Sequence, residues 1–237
     1  MHDVSQWLHL ISLGSLGLSC LCAVVIAEHV SHHPQRMGVM NGVWPIAALF
    51  GSVFVLYGYF RHGVQDAREV PDEARETAPF PIAVAKGTLH CGSGCMVGDV
   101  VAESLLLLFP SVAVVFGWHW LFQDRMFATW VLDFLFAFAA GIFFQYFAIV
   151  PMRKLSPQEG VRAALKADSL SLAAWQVGMY AVMGFAQRDL FARVYGGPLP
   201  ASRIEFWLAM QVAMIGGFIT AYPVNAWLIH AGIKEAM

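Results

Sequence analysis

Apolar blocks of about 20 residues recur along the whole of this chain, and each is long enough to cross a hydrocarbon core about 30 Å thick at about 1.5 Å per helical residue. They read 7–28, 42–60, 88–116, 128–150, 168–187 and 205–229. The runs are continuous rather than alternating, which argues against a barrel, and only helices or closed barrels satisfy every backbone group in lipid. The expected fold is therefore an all-α, polytopic transmembrane helical bundle of about six spans, forming a single domain whose first partner is the lipid bilayer. Of the 237 residues, 58% are hydrophobic and 13% charged. A soluble domain carries roughly 25% charged residues, so none is left over here.

Six spans put both termini on one side. Arg61, Arg68, Arg75, Lys86, Arg153, Lys154, Arg162, Lys166 and Lys234 fall on that side, against Arg36, Arg125, Arg188, Arg193 and Arg203 on the other. By the positive-inside rule the richer side, with both termini, is cytoplasmic. The opening MHDVSQWLHL lacks a basic n-region, so the first span reads as retained rather than cleaved. Most of the eight tryptophans fall near span ends, as in an aromatic belt. A formal charge of −2 and the lack of a phosphate-cradling glycine loop exclude nucleic acid as a partner.

Between the second and third spans, RHGVQDAREVPDEARETAPFP mixes both charges with prolines and reads as a solvated connector, with a short surface helix from Asp72. Ser156-Pro157-Gln158-Glu159 is a capping box with proline at the first helical position, which starts a helix leading into the fifth span. Ser202 with Glu205 has the same form at the start of the sixth. Tyr222-Pro223-Val224-Asn225 marks a break or kink. No internal repeat is visible, and so no sign of an inverted-repeat transporter.

The third block opens HCGSGCMVGDVVAE. Residues four apart share a helix face, so Cys91, Cys95 and Asp99 form one ladder, with His90 beside its lower end and Glu103 drifting away. Ionisable groups within a span are costly and normally face a bundle interior. Three readings compete for this stripe. Gly94 and Gly98, spaced as GxxxG, fit close helix packing, and cysteine is often a small buried hydrophobe. Thiolate, imidazole and carboxylate are also standard metal ligands. Thiol redox chemistry is the third, although CxxxC is a weaker signature than CxxC.

Met179 with Met183, and Met210 with Met214, are pairs four apart in the last two spans. Thioethers suit soft ions such as Cu(I), while methionine also fills irregular cores. Gln176 and Gln211 lie a turn away. His29, His32 and His33 follow Glu28 at the end of the first span, as a candidate outer acceptor for an ion or simply a wet helix end. Histidine, methionine and cysteine thus form a descending series of soft ligands, while Asp99 and Glu103 suit harder ions or proton carriage.

MNGVWP at 40–45, HCGSGCMVGD at 90–99, the run 141–180 ending KADSLSLAAWQVGMY, and MQVAMIGGFITAYPVNAWLIHAGIKEAM at 210–237 resemble the bacterial integral-membrane family of unknown function DUF4396, from about Met40 onward. The resemblance implies a multi-pass protein of the bacterial inner membrane and no particular activity. From the residues themselves, the leading expectation is an intramembrane transition-metal site, copper favoured and zinc or iron next, serving metal transport or delivery. Its ligands would be His90, Cys91, Cys95 and Asp99, then Met179, Met183, Met210 and Met214, with Glu103 as proton carrier. An oxidoreductase acting on a quinone or other lipid-soluble substrate is the alternative. A structural subunit, associated with other membrane subunits or as a homo-oligomer, is the third.

Overall fold

The computed structural model describes residues 2–71, 73 and 78–235. Its helices are α1 (His2–His32), α2 (Met40–Gly58), α3 (Phe80–Leu108), α4 (Val112–Val115), α5 (Arg125–Arg153), α6 (Pro157–Phe185), α7 (Phe191–Tyr195) and α8 (Ile204–His230). A π turn over Tyr59–Gly63 and a 3-10 turn over Val64–Asp66 extend α2, and a second π turn joins α6 to α7. Six segments are long and apolar enough to cross a membrane. The third starts eight residues earlier than expected, because Pro79 and Pro81 suit the unpaired N–H groups of a first turn. The helix proposed from Asp72 falls largely outside the described residues.

The second segment does not run straight. Ser52 has φ 46° and ψ −128°, a left-handed conformation that favours glycine, and the helix doubles back there. Gly63 consequently abuts the Trp44 indole, and Trp44 meets Tyr59 edge-on at 5.4 Å between ring centroids. In a straight helix, residues 44 and 63 would stand about 28 Å apart. Each arm, 40–51 and 53–66, is about 18 to 21 Å long, little more than half the hydrocarbon core. The segment is therefore a re-entrant hairpin, a form tolerated in membranes where protein covers it. Its tip reaches the bundle interior: Leu49 O accepts from Gln211 Nε2 at 2.6 Å, and Phe50 meets Trp175 edge-on.

This fold-back corrects the arrangement of the termini. At one end of the bundle, His9 near the start of α1 bonds Glu205 at the start of α8, 2.9 Å apart, and the Tyr195 hydroxyl reaches Ser5 O. At the other end, α1 finishes beside the returning arm, with His29 Nδ1 2.8 Å from the Tyr59 hydroxyl and Arg36 N bonded to Asp66 O. There α8 also finishes, its His230 against Phe80. The described chain thus begins and ends at opposite ends of the bundle, because the second of the six candidate spans folds back on itself. Arg36 moves to the end that holds Arg61, Arg68, Lys86, Arg153, Lys154 and Lys234, here called the basic end. Arg125, Arg188, Arg193 and Arg203 remain at the far end. His29, His32 and His33 lie at the basic end too, rather than at the end away from it where the six-span reading put them.

Small residues set the closest contacts. A Cβ on Gly98 would lie 2.3 Å from Ala137 Cα, and one on Gly94 2.6 Å from Gly141 Cα, so α3 and α5 touch backbone to backbone. The GxxxG reading holds. Gly178 and Gly216 bring α6 and α8 together in the same way. The Ser156–Glu159 capping box forms, with Glu159 accepting from Ser156 N at 3.1 Å. The second box does not, since α8 is preceded by Arg203 and Glu205 turns instead to His9 and Arg203. Pro223 lies within an unbroken α8.

Candidate functional site

A buried polar file follows one face of α3. At its basic end stands an ion pair with no solvent exposure on either side chain: Lys234 Nζ lies 2.5 Å from Asp168 Oδ1 and donates to Asn225 Oδ1 at 2.7 Å. The lysine gets there because the chain turns sharply after α8. Gly232, with φ +65°, allows the N–H groups of Ile233 and Lys234 both to bond Leu228 O, the usual glycine-dependent helix ending. The turn aims the side chain back into the bundle, where its stem passes Gly87 of α3 at 3.9 Å from an added Cβ. Burying two charges costs several kcal/mol each unless they pair well, and Asn225 and Ser171 support the pair, while Asp168 Oδ2 has no hydrogen-bond partner among the described residues.

Ser171 links this pair to the thiols. Its Oγ lies 2.7 Å from Asp168 Oδ1 and 3.6 Å from Cys91 Sγ, so its single proton can serve either. Cys91 and Cys95 stand one helical turn apart, within electrostatic reach of each other, and both are fully buried. One turn further, Asp99 faces Gln176 of α6, yet both carboxylate oxygens and both amide atoms lack a close hydrogen-bond partner among the described residues. Asp133 of α5 lies within electrostatic reach of Asp99 and Glu103, and the Tyr180 hydroxyl, bonded to Trp130 O, senses the same carboxylates. Arg125 lies near Glu103.

The file opens at the far end. Glu103, Arg125, Thr129, Met183, Gln187 and Arg188 are among the residues lining a cleft of about 450 Å³ between the ends of α3, α5, α6 and α8. Trp175 sits beside the middle of the file, wedged between Gly92 of α3 and Gly217 of α8, with its Nε1 unpaired among the described residues. A buried polar atom without a partner costs about 1–3 kcal/mol. Such atoms are concentrated around Asp99, Gln176, Trp175 and Asp133.

The expected ligands are distributed as follows. Cys91, Cys95, Met179, Met210 and Met214 are buried in one apolar cluster, together with Met183, which also lines the cleft. His90 is fully buried but turns toward Phe144 of α5, and neither ring nitrogen is hydrogen-bonded among the described residues. Asp99 stands beyond the thiols, with the carboxylates. No group of three His, Cys, Asp or Glu side chains converges on one point among the described residues. His29 and His33 are held by Tyr59 and Glu69 at the basic end. Lys234, Asn225 and Ser171 were not among the site residues expected from the sequence: a lysine just past the last apolar block looks like a solvated tail, and its partner Asp168 is far away in the chain.

A model of a domain of unknown function, DUF4396, matches residues 82–234. No curated protein and no solved structure matches the chain. The match begins later than the resemblance from Met40, leaving out α1 and the re-entrant hairpin, and it ends on Lys234, so every residue of the file lies inside it. The chain is a multi-pass membrane protein that belongs to the DUF4396 family.

Proposed function

We propose that this protein passes protons along the interior file, between the far-end cleft at Glu103 and the Lys234–Asp168 pair at the basic end. The observation that carries this reading is the continuity of exchangeable groups: carboxyls, thiols, a hydroxyl and an amide succeed one another through the bundle, each within about a helical turn of the next. Chains of Asp, Glu and His inside membrane helices are the usual parts of proton relays. Glu103 supplies the cleft-side acceptor, Asp99 and Asp133 the mid-bundle carriers, and Ser171 the link from the thiols to Asp168. By the positive-inside rule the basic end would face the cytoplasm, and a bacterial inner membrane is the location that the family resemblance implies.

Purified protein in vesicles loaded with a pH-sensitive dye, with a potassium gradient and valinomycin setting the potential, tests this directly. Wild-type vesicles are expected to acidify or alkalinise with the sign of the potential, and Asp99→Asn to reduce the rate at least tenfold. Vesicles as tight as protein-free ones would overturn the relay.

A second reading is favoured by a separate observation, the placing of the two thiols one helical turn apart inside a cluster that also buries six methionines. These are soft ligands, and they suit Cu(I) as a transported ion or a bound one. Elemental analysis of protein purified anaerobically, beside Cys91→Ser/Cys95→Ser, decides it. About one copper per chain, lost in the variant, would support metal transport or delivery; metal-free wild type would remove it.

A further inference from the structure

A second cleft, of about 410 Å³, lies at the basic end beneath the re-entrant hairpin, away from the file's opening. Its floor is polar. Gln35 is 1% exposed, and neither its Oε1 nor its Nε2 has a hydrogen-bond partner among the described residues, although its backbone is held by Asn41 and Arg68. Lys86, also buried, pairs with Asp66, which takes one of its three N–H groups. Arg36 lines the cleft as well, so that two cations and one carboxylate, Asp66, stand among its described lining residues.

The outer wall is apolar and continues onto the lipid-facing surface. Phe147, Pro151 and Met152 of α5 line the cleft, with Phe147 47% and Met152 45% exposed. One turn back along α5, Phe143 is 60% exposed and its ring packs on that of Phe147, 4.6 Å between centroids. An apolar track thus leads from a buried amide and a buried ammonium out to where acyl chains run. Basic pockets between transmembrane helices on the cation-rich side suit anionic lipid headgroups.

We infer that this cleft binds the headgroup of an anionic phospholipid, its phosphate oxygens accepting from Lys86 Nζ and Gln35 Nε2 and an acyl chain lying along Phe147 and Phe143. Gln35 Oε1 is then left to accept from a headgroup hydroxyl, which favours a glycerol headgroup over choline. The bound lipid would fasten the hairpin to α5 through a contact that the protein alone does not complete. The inference is independent of the proton relay.

Native mass spectrometry of the full chain released from membrane discs containing equal amounts of phosphatidylglycerol and phosphatidylcholine tests it. One phosphatidylglycerol per chain is expected, preferred over phosphatidylcholine by at least about fivefold, the factor that one well-placed cation near a membrane surface contributes. Gln35→Leu and, separately, Lys86→Gln are each expected to lower that occupancy several-fold. Equal retention of the two lipids by the wild type would overturn the inference without recourse to any variant. So would undiminished phosphatidylglycerol in both variants, or displacement of the lipid by millimolar inorganic phosphate, which would make the site one for free phosphate.

Discussion

The two faces of α3 follow opposite rules. Toward α5, Gly94 and Gly98 bring two backbones together so tightly that a single methyl group has no room. Toward α6 and the turn after α8, the same helix presents Cys91, Cys95 and Asp99 to a row of polar partners, several of which leave hydrogen-bonding capacity unused. Packing in lipid relies on close van der Waals contact, because burial from water offers no drive between helices already in hydrocarbon. A face that gives up such contact for unpaired carboxylates and amides loses stability. The difference teaches that α3 is anchored on one side so that it can hold reactive groups steady on the other.

Substitutions on each face should separate these roles. The largest effect on stability is expected from Lys234→Met, which leaves Asp168 buried and unpaired at a cost of about 3–5 kcal/mol. Thermal unfolding in mild detergent measures it, and adding Asp168→Asn is expected to restore most of the loss. A double variant no better than the single one would show that the ion pair is not what the turn after α8 secures. Next comes the packed face. Gly98→Ala drives a methyl into the Ala137 backbone and should cost about 1–3 kcal/mol, read by the same unfolding experiment. An unchanged midpoint would mean that the helices are free to part. Smallest is Ser171→Ala, expected to cost about 1 kcal/mol for one hydrogen bond, with a larger effect on proton movement than on stability. If it unfolds the protein as readily as Gly98→Ala, the link between Asp168 and Cys91 is structural.

Much of this arrangement could be read from the sequence, and the exceptions have physical reasons. Spacing by four placed Cys91, Cys95 and Asp99 on one face, and GxxxG marked a close helix contact without saying which helix makes it, because both depend only on helical geometry. The capping box at Ser156 was readable for the same reason, being local. The hairpin was not, since the block 42–60 has the same apolar composition whether it crosses or returns. What makes it return is the pair Gly51-Ser52, where the added Cβ on Gly51 would meet Val55 and Ser52 takes a positive φ, and a single Gly-Ser pair in a membrane helix is unremarkable. That one turn displaced Arg36 and the histidines of α1 to the other end of the bundle. Lys234 was hidden for a related reason: its direction depends on Gly232, and its partner Asp168 lies 66 residues away in the chain.

The most direct test compares the two faces in one assay, proton flux per folded molecule in vesicles for the wild type, Asp99→Asn and Gly98→Ala. The expected result is that Asp99→Asn loses flux while its unfolding midpoint is held or raised, since a neutral amide replaces a buried carboxyl without a partner. Gly98→Ala is expected to lose stability while each surviving molecule conducts as before. Asp99→Asn conducting at the wild-type rate would contradict the account, because the carboxyl at the centre of the file would then carry nothing.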